Sequence, residues 1–332
     1  MKDSYGRNIH YLRVSVTDRC NLRCRYCMPE VGVEPIPHEE ILTYDEILRL
    51  VRVAAGLGID RIRLTGGEPL VRKGLVGLAA DIKRIPGIRY LGLTTNGVLL
   101  SEMAPELLEA GVDGVNVSID TLDEARYAHL TRRDALPLAI KGMHAALALP
   151  FRSVKVNSVL APDSKSEDWL GVLGLAKTHP VDVRLIEWMP MAGETENGGI
   201  RANDALALIE ATYGELTPAP RDTEAGPAQY WRAPGFAGRI GIIHAMSHNF
   251  CDSCNRLRLT ATGNLKLCLF YDVGVALKPM LRSGASDGEL AGAILSALEN
   301  KPKQHGGQVK TREDGVQYST IAHAAGMYQT GG

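Results

Sequence analysis

Residues 11–27 have the sequence YLRVSVTDRCNLRCRYC, an apolar strand-like segment that leads directly into three closely spaced cysteines. Five further strand-like segments follow, and amphipathic stretches with helix start and stop signals separate them. These strand-like segments cover residues 59–65, 90–96, 114–120, 154–160 and 181–189. Six strand-then-helix units predict a parallel sheet with helices outside it. They favour a full or partial β/α barrel or an open doubly wound sheet, and periodicity alone does not choose between these folds.

Two local signals mark the ends of the predicted helices. Thr43 and Glu46 form a capping-box pattern in front of one amphipathic stretch. Gly111 follows another stretch, residues 101–110, at the position where a helix usually ends. Both signals support the alternation of strands and helices.

The regular alternation stops near residue 192, where glycine and proline become frequent. A strand is predicted over residues 238–245, and a hairpin is predicted around the turn residues 262–264. Helices are expected near residues 274–282 and 287–298. We therefore predict a barrel core over residues 1–190 and a second region over residues 191–332.

The composition is that of a globular protein. The chain has 332 residues, with 37 Lys plus Arg against 38 Asp plus Glu, and 45% of its residues are hydrophobic. These values exclude wholesale disorder and a disulfide-dense miniprotein. The charge balance also argues against nucleic acid or an acidic membrane as a partner, so any polyanion must be held by a local cluster of charges.

The N-terminus predicts a cytoplasmic protein. Residues 1–10 have no apolar core of the kind that a signal peptide needs, and no stretch reaches the ~20 apolar residues of a membrane span. In the cytoplasm thiols are kept reduced, so the six cysteines are expected to be metal ligands or catalytic groups.

The cysteines fall into two groups of three. The groups are Cys20, Cys24 and Cys27, and Cys251, Cys254 and Cys268. Three thiolates suit a four-iron cluster whose fourth iron is open to a small molecule. The alternative is a zinc site completed by a neighbouring histidine. For the second group, His244 and His248 make a Cys3His zinc ribbon the main competitor.

The motifs together carry a resemblance to a known family. CNLRCRYC after the first strand and TGGEP at residues 65–69 resemble the radical S-adenosylmethionine (SAM) superfamily. LTTNG, VNVSID, VKVN, CDSCNRLRLT and the terminal Gly-Gly extend the likeness over residues 6–332 to the GTP 3′,8-cyclase family of molybdenum cofactor biosynthesis. The resemblance implies a partial (β/α)6 TIM-like barrel of the radical SAM type, with a C-terminal region that carries a second iron–sulfur cluster.

The family's chemistry follows from this resemblance. It implies two [4Fe-4S] clusters, and SAM bound to the first of them. One electron, from a reductant such as flavodoxin or ferredoxin, cleaves SAM to methionine and a 5′-deoxyadenosyl radical. In the family this radical removes hydrogen from C3′ of GTP, and the new carbon radical adds to C8 of guanine. The cyclised triphosphate passes to cyclic pyranopterin monophosphate synthase.

The resemblance also assigns site residues. The SAM contacts would be Tyr26, Gly67, Ser118 and Met189. The Gly66–Gly67 pair would let the backbone approach the methionine amine closely, and Glu68 would accept a hydrogen bond from that amine. The six cysteines would be the cluster ligands, and Arg256, Arg258, Gly331 and Gly332 would be catalytic. Removal of the Gly-Gly end should impair cyclisation more than stability.

The nucleotide should bind to a group of cations, because a triphosphate carries about four negative charges and arginine binds phosphate in a bidentate manner. Arg256 and Arg258 are two residues apart in an extended segment, so they share one face. The expected GTP contacts are Arg13, Arg63, Thr94, Lys155, Arg184, Arg256 and Arg258.

Two other functions compete with this one. The first is a radical SAM enzyme that modifies a peptide, although such proteins often carry more than three C-terminal cysteines. The second is a non-enzymatic zinc module that contacts RNA through the hairpin arginines, which would leave the six β/α units and TGGEP without a role. The sequence leaves the oligomeric state open, a homodimer included.

Overall fold

The computed structural model describes residues 1–32, 34, 36–189, 199–220, 226–248 and 250–305. In this part of the chain the first six strands follow the predicted alternation. They are β1 (Tyr11–Ser15), β2 (Arg61–Thr65), β3 (Tyr90–Thr95), β4 (Gly114–Ser118), β5 (Ser153–Leu160) and β6 (Asp182–Glu187).

Helices occupy the connections between these strands. They are α1 (Tyr44–Gly56), α2 (Leu75–Lys83), α3 (Leu100–Glu109), α4 (Glu124–Thr131), α5 (Leu136–Leu147) and α6 (Ser166–Thr178). Short 3-10 helices lie at His38–Glu40, Pro69–Val71 and Cys251–Ser253. The capping box is confirmed, because the Thr43 side chain accepts from the Glu46 amide and the Glu46 carboxylate accepts from the Thr43 amide.

The first six strands are neighbours in chain order, and each pairs with the next in parallel. A doubly wound sheet would reverse its strand order at one point, whereas a β/α barrel keeps the sequential order seen in this protein. The sheet of the described residues remains open, since its two end strands do not pair with each other. The prediction of a partial β/α barrel is therefore confirmed.

The C-terminal region extends the same sheet at both ends. Its strands are β7 (Thr217–Ala219), β8 (Gln229–Arg232), β9 (Ile240–Ile243), β10 (Arg256–Leu259), β11 (Asn264–Lys266) and β12 (Gly274–Ala276). Its helices are α7 (Ala202–Tyr213), α8 (Leu277–Arg282) and α9 (Asp287–Leu298). Strand β9 pairs in parallel with β6, and β10 pairs in parallel with β1.

The predicted hairpin is confirmed, because β10 and β11 pair in antiparallel fashion around a turn in which Gly263 has φ +81°. The prediction of a helix near residues 274–282 is wrong for residues 274–276, and the helix begins at Leu277. Residues 274–276 form β12, because pairing with β11 satisfies their backbone groups. The boundary predicted at residue 190 lies outside the described residues, and the two-domain division stays a prediction.

Strand β2 shows how this fold separates the core from the site. Ile62 and Leu64 are fully buried in the hydrophobic core, on the side of the sheet where the helices pack. Arg61, Arg63 and Thr65 alternate with them and line a cavity on the other side. Because side chains alternate across a strand, one segment serves both the core and the site. No described helix has the length and apolarity that crossing a membrane requires.

Candidate active site

A cavity of about 380 Å³ lies inside the partial barrel, which is a usual size for a small-molecule site. Every described residue predicted to contact SAM or GTP lines it, as do the first three cysteines. The predicted site residues that line the cavity are Arg13, Cys20, Cys24, Tyr26, Cys27, Arg63, Gly67, Thr94, Ser118, Lys155, Arg184, Met189, Arg256 and Arg258. Gly331 and Gly332 lie outside the described residues.

Three adjacent strands place cations side by side in the wall of this cavity. In the parallel register, Arg13 of β1 is the partner of Arg63 in β2 and of Arg258 in β10. Two residues earlier, Tyr11 is the partner of both Arg61 and Arg256. Residues two apart on a strand share a face, so both sets line the cavity. The sheet register therefore concentrates positive charge in one wall of the cavity.

Tyr11 supplies a hydrogen-bond acceptor to this wall. Arg63 Nε donates to Tyr11 Oη at 2.5 Å, and Arg63 Nη1 donates to the Leu93 carbonyl at 2.8 Å. Burial alone would raise the pKa of Tyr11, but Arg63 and Arg13 lower it to about 8. The phenol thus orients Arg63 and tempers the repulsion within the cationic wall.

The opposite side of the cavity holds further polar groups. Lys155 Nζ lies 3.6 Å from Asp182 Oδ2, and Arg184 Nε donates to Asn157 Oδ1 at 2.9 Å. The Thr94 hydroxyl is buried and has no hydrogen-bond partner in the described part of the chain. Because buried hydroxyls are usually paired, this orphaned group is a natural contact for a bound ligand.

Helix α4 fixes the first cysteine loop. The amides of Arg23 and Arg25 donate to the carbonyls of Thr131 and Leu130, each at 2.9 Å. Arg132 follows the helix with φ +54°, and its Nη1 donates to the Arg23 carbonyl at 2.8 Å and the Met28 carbonyl at 3.1 Å. These contacts hold both ends of the segment that presents Cys24 and Cys27.

Tyr26, which lies between two of these cysteines, is fixed by its hydroxyl. Tyr26 Oη donates to Asp120 Oδ2 at 2.7 Å, and Asp120 Oδ1 accepts from the Val159 amide at 2.8 Å. Burial raises the pKa of Asp120 to about 6. The Tyr26 ring also makes an edge contact with Trp188 at 6.1 Å between centroids. The cysteine loop is thus tied to strand ends on the far side of the cavity.

Both glycines of TGGEP lie close to protein backbone, and their predicted approach to the methionine amine of SAM stays a prediction. A Cβ on Gly67 would lie 2.4 Å from the carbonyl oxygen of Arg19, and a Cβ on Gly66 would lie 2.7 Å from that of Thr17. The close approach is therefore to the backbone that precedes Cys20. The glycines let this loop pack directly beneath the cysteine loop.

Glu68 is buried at the edge of the same cavity. Its carboxylate accepts hydrogen bonds from the Leu70 amide at 3.0 Å, the Thr95 hydroxyl at 2.8 Å and the Asn96 amide at 2.7 Å. Burial raises its pKa to about 7, although these donors oppose the shift. A cationic ligand group beside Glu68 would favour the ionised form.

The second group of cysteines borders the cavity without lining it. Cys251 follows Phe250 and Cys268 precedes Leu269, and both of these neighbours line the cavity. Burial raises the pKa of Cys251. Burial would do the same for Cys254, but nearby cations, first among them Arg256, lower its pKa to about 7. Positive charge favours the thiolate, which is the form that binds metal.

Each donor set consists of three thiols, which suits a four-iron cluster with one iron left open. All six cysteines are free thiols. In the described residues, no three His, Cys, Asp or Glu side chains are placed to hold a single metal ion. The His244 and His248 rings make an edge contact, with 5.5 Å between their centroids.

Sequence reasoning missed several residues of the cavity. Arg61 was missed although its two-residue spacing from the predicted contact Arg63 equals that of Arg256 and Arg258. Tyr11 carried no signal, because its role depends on the register between strands. Asn116 and Asn157 also line the cavity and look like ordinary strand residues in sequence.

Two protein-family models match successive parts of this chain. The model of the radical SAM superfamily matches residues 14–176. The model named Molybdenum Cofactor Synthesis C matches residues 181–307. Among solved structures, SuiB of Streptococcus suis has a TM-score of 0.57 at 15% identity, covering 79% of this chain and 60% of its own. That likeness shows the fold alone.

Two of the similar curated proteins carry the same activity name, and a third is named after the same cofactor pathway. The GTP 3′,8-cyclase of Pelotomaculum thermopropionicum is 47% identical over 92% of this chain and 95% of its own. That of Clostridium perfringens (strain SM101) is 40% identical over the full length of both chains. Human molybdenum cofactor biosynthesis protein 1 is 42% identical, but the match spans only 48% of its length. The chain belongs to the GTP 3′,8-cyclase family of radical SAM enzymes.

Proposed function

We propose that this chain converts GTP to (8S)-3′,8-cyclo-7,8-dihydroguanosine 5′-triphosphate inside the partial barrel, as the first step of molybdenum cofactor biosynthesis. One observation carries the proposal: a loop of three thiols and a wall of buried arginines line the same cavity. A radical must arise within reach of the atom from which it takes hydrogen. The radical precursor and the nucleotide therefore have to share one enclosed space.

The cationic wall suits the triphosphate. Arg13, Arg63 and Arg258 are register neighbours and all are buried. Burying several like charges is costly unless an anion compensates them, and phosphate oxygens accept bidentate hydrogen bonds from guanidinium groups. Lys155 and Arg184 reach the cavity from β5 and β6, so they can contact the nucleotide from the other side. Thr94 offers its unpaired hydroxyl between the two groups of cations.

The thiol end suits SAM. Cys20, Cys24 and Cys27 would hold a [4Fe-4S] cluster with one iron left for the methionine part of SAM. When bound, this cluster supplies the electron that splits SAM into methionine and a 5′-deoxyadenosyl radical. Glu68 would accept a hydrogen bond from the methionine amine. The remaining SAM contacts that we propose are Tyr26, Gly67, Ser118 and Met189.

The second cysteine group would hold the other [4Fe-4S] cluster, at the guanine end of the nucleotide. Support comes from its position beside the cavity-lining residues Phe250 and Leu269. Arg256 and Arg258 lie just beyond Cys254 and face the substrate space, so we assign them catalytic roles. Gly331 and Gly332 are proposed to reach the same space from the tail.

Two partners and a compartment follow from this chemistry. We infer a one-electron donor such as flavodoxin or ferredoxin, because SAM cleavage consumes an electron. The cyclised triphosphate would pass to cyclic pyranopterin monophosphate synthase. Six free thiols are consistent with the reducing cytoplasm as the place of action.

The proposal is tested by anaerobic reconstitution followed by turnover with SAM, GTP and a strong reductant. About eight iron atoms per chain are expected if both sites hold four-iron clusters. Mass spectrometry should show 5′-deoxyadenosine together with a cyclised GTP product. Deoxyadenosine without a GTP product would retain radical SAM chemistry but reject GTP as the substrate. Zinc in place of iron would overturn the mechanism.

A residue-level test separates the two ends of the cavity. Arg256→Ala should weaken GTP turnover while uncoupled SAM cleavage stays measurable, because Arg256 belongs to the cationic wall and not to the thiol loop. Arg52→Ala is the matched control, since Arg52 is exposed on α1. Loss of both activities in the Arg256 variant would indicate damage to folding or cluster assembly instead.

A further inference from the structure

Lys301 lies just beyond α9 and is buried, with 3% of its surface exposed. Its ammonium donates to the Arg256 carbonyl at 3.0 Å and to the Leu267 carbonyl. Arg256 is two residues after Cys254, and Leu267 is the residue before Cys268. One buried ammonium therefore bridges the two chain segments that present two cysteines of the second group.

The charge of this ammonium has no carboxylate partner in the described part of the chain, where both of its hydrogen-bond acceptors are carbonyls. Arg7 is a further cation near the group, through a hydrogen bond to the Cys251 carbonyl at 2.8 Å. Arg7 is already paired with Asp3 at 2.5 Å. Lys301 therefore places a buried positive charge between the segments that carry Cys254 and Cys268.

We propose that Lys301 is a positioning residue that raises the reduction potential of the cluster held by Cys251, Cys254 and Cys268. The inference rests on the proposed function, because it requires a cluster at these cysteines. Reduction adds one negative charge to a cluster, and a buried cation at short range stabilises the reduced form. Net charge around a cluster is one of the factors that set its potential. Lys301 thus makes the second cluster a better electron acceptor than its thiolates alone would.

The test isolates the second cluster in the full chain. Cys20, Cys24 and Cys27 are replaced by alanine, and the reconstituted protein is titrated potentiometrically with electron paramagnetic resonance as the readout, without SAM or GTP. In this background Lys301→Gln keeps a hydrogen-bond donor and removes the charge, whereas Lys301→Arg keeps the charge. Lys303→Gln is the matched control, because Lys303 is exposed two residues away.

Lys301→Gln should make reduction about tenfold less favourable, which is about 59 mV for a one-electron couple. Lys301→Arg and Lys303→Gln should stay near the parent value. Loss of iron from the glutamine variant alone would also support the role of charge. An unchanged potential in Lys301→Gln, equal shifts in both Lys301 variants, or loss of iron from both would overturn the proposal. A parent protein without iron would instead reject the second cluster itself, and with it the proposed function.

Discussion

Arg13 in β1 and Arg258 in β10 stand directly opposite each other across two parallel strands, and both side chains are buried in the wall of the cavity. Like charges in facing positions of a sheet destabilise it. Burial and the neighbouring guanidinium of Arg256 lower the pKa of Arg258 to about 10, and burial with Arg258 lowers that of Arg13. Such a pair is unfavourable for folding and favourable for binding a polyanion.

Replacing Arg258 by methionine should weaken GTP binding more than it weakens the fold. A lost charge-assisted hydrogen bond costs about 1.5–3 kcal/mol, so the dissociation constant should rise at least about tenfold. The free energy of unfolding of the unliganded protein should change by no more than about 1 kcal/mol, since the repulsion between facing charges is relieved. Equilibrium binding and denaturant titration measure the two effects.

Arg52→Met is the control for this substitution, because Arg52 is exposed on α1. It should leave both GTP affinity and stability unchanged. If the Arg258 variant bound GTP like the wild type, the triphosphate would have to lie elsewhere than on this wall.

The sequence predicted the chemistry of this site better than its arrangement. The spacing of Arg256 and Arg258 places them on one face of a strand, and the cysteine spacings indicate two clusters. Their position beside Arg13 could not be predicted, because it depends on β10 returning to pair with β1 from more than two hundred residues away. The strand at residues 274–276 was missed for the same reason, since its partner β11 decides its conformation. Lys301 is distant in sequence from the cysteines that it approaches.

Gly67→Ala should disrupt the loop beneath the first cysteines. The added methyl group would lie 2.4 Å from the Arg19 carbonyl oxygen, and backbone cannot yield as a flexible side chain can. Overpacking of this kind costs about 1–3 kcal/mol. The midpoint temperature of thermal unfolding and the iron content of the first site should both be lower in the variant.

The matched control for this change is Gly77→Ala within α2. Nothing lies within 4 Å of a Cβ at Gly77, and alanine in a helix is about 0.5–1 kcal/mol more favourable than glycine. This variant should be as stable as the wild type or more stable. Equal behaviour of the two variants would show that the tight fit at Gly67 is unimportant.

Asp120→Asn should loosen Tyr26 and so lower SAM affinity. The carboxylate accepts from the Tyr26 hydroxyl and from the Val159 amide, and an asparagine can accept through one oxygen only. A loss of about 1–3 kcal/mol in the free energy of unfolding is expected. Tyr26→Phe removes the same hydrogen bond from the other side. The free energy of unfolding of the double variant should therefore fall by less than the sum of the two single decreases. Strictly additive decreases would show that the pair does not interact.

Tyr11 should make the stability of the metal-free protein depend on pH in a defined direction. Its pKa is about 8 in the folded protein and 10.0 as its ordinary value, because Arg63 and Arg13 outweigh the effect of burial. Between these values the folded protein has released a proton that the unfolded chain still holds, so stability rises with pH. The free energy of unfolding of the wild type, minus that of Tyr11→Phe, should therefore increase by about 2 kcal/mol from pH 7 to pH 10. Denaturant titrations at each pH measure this difference, and tyrosinate absorbance should show a midpoint near pH 8 that the variant lacks. A difference that stays flat across this range would mean that the phenol keeps its proton and acts on Arg63 through its hydrogen bond alone.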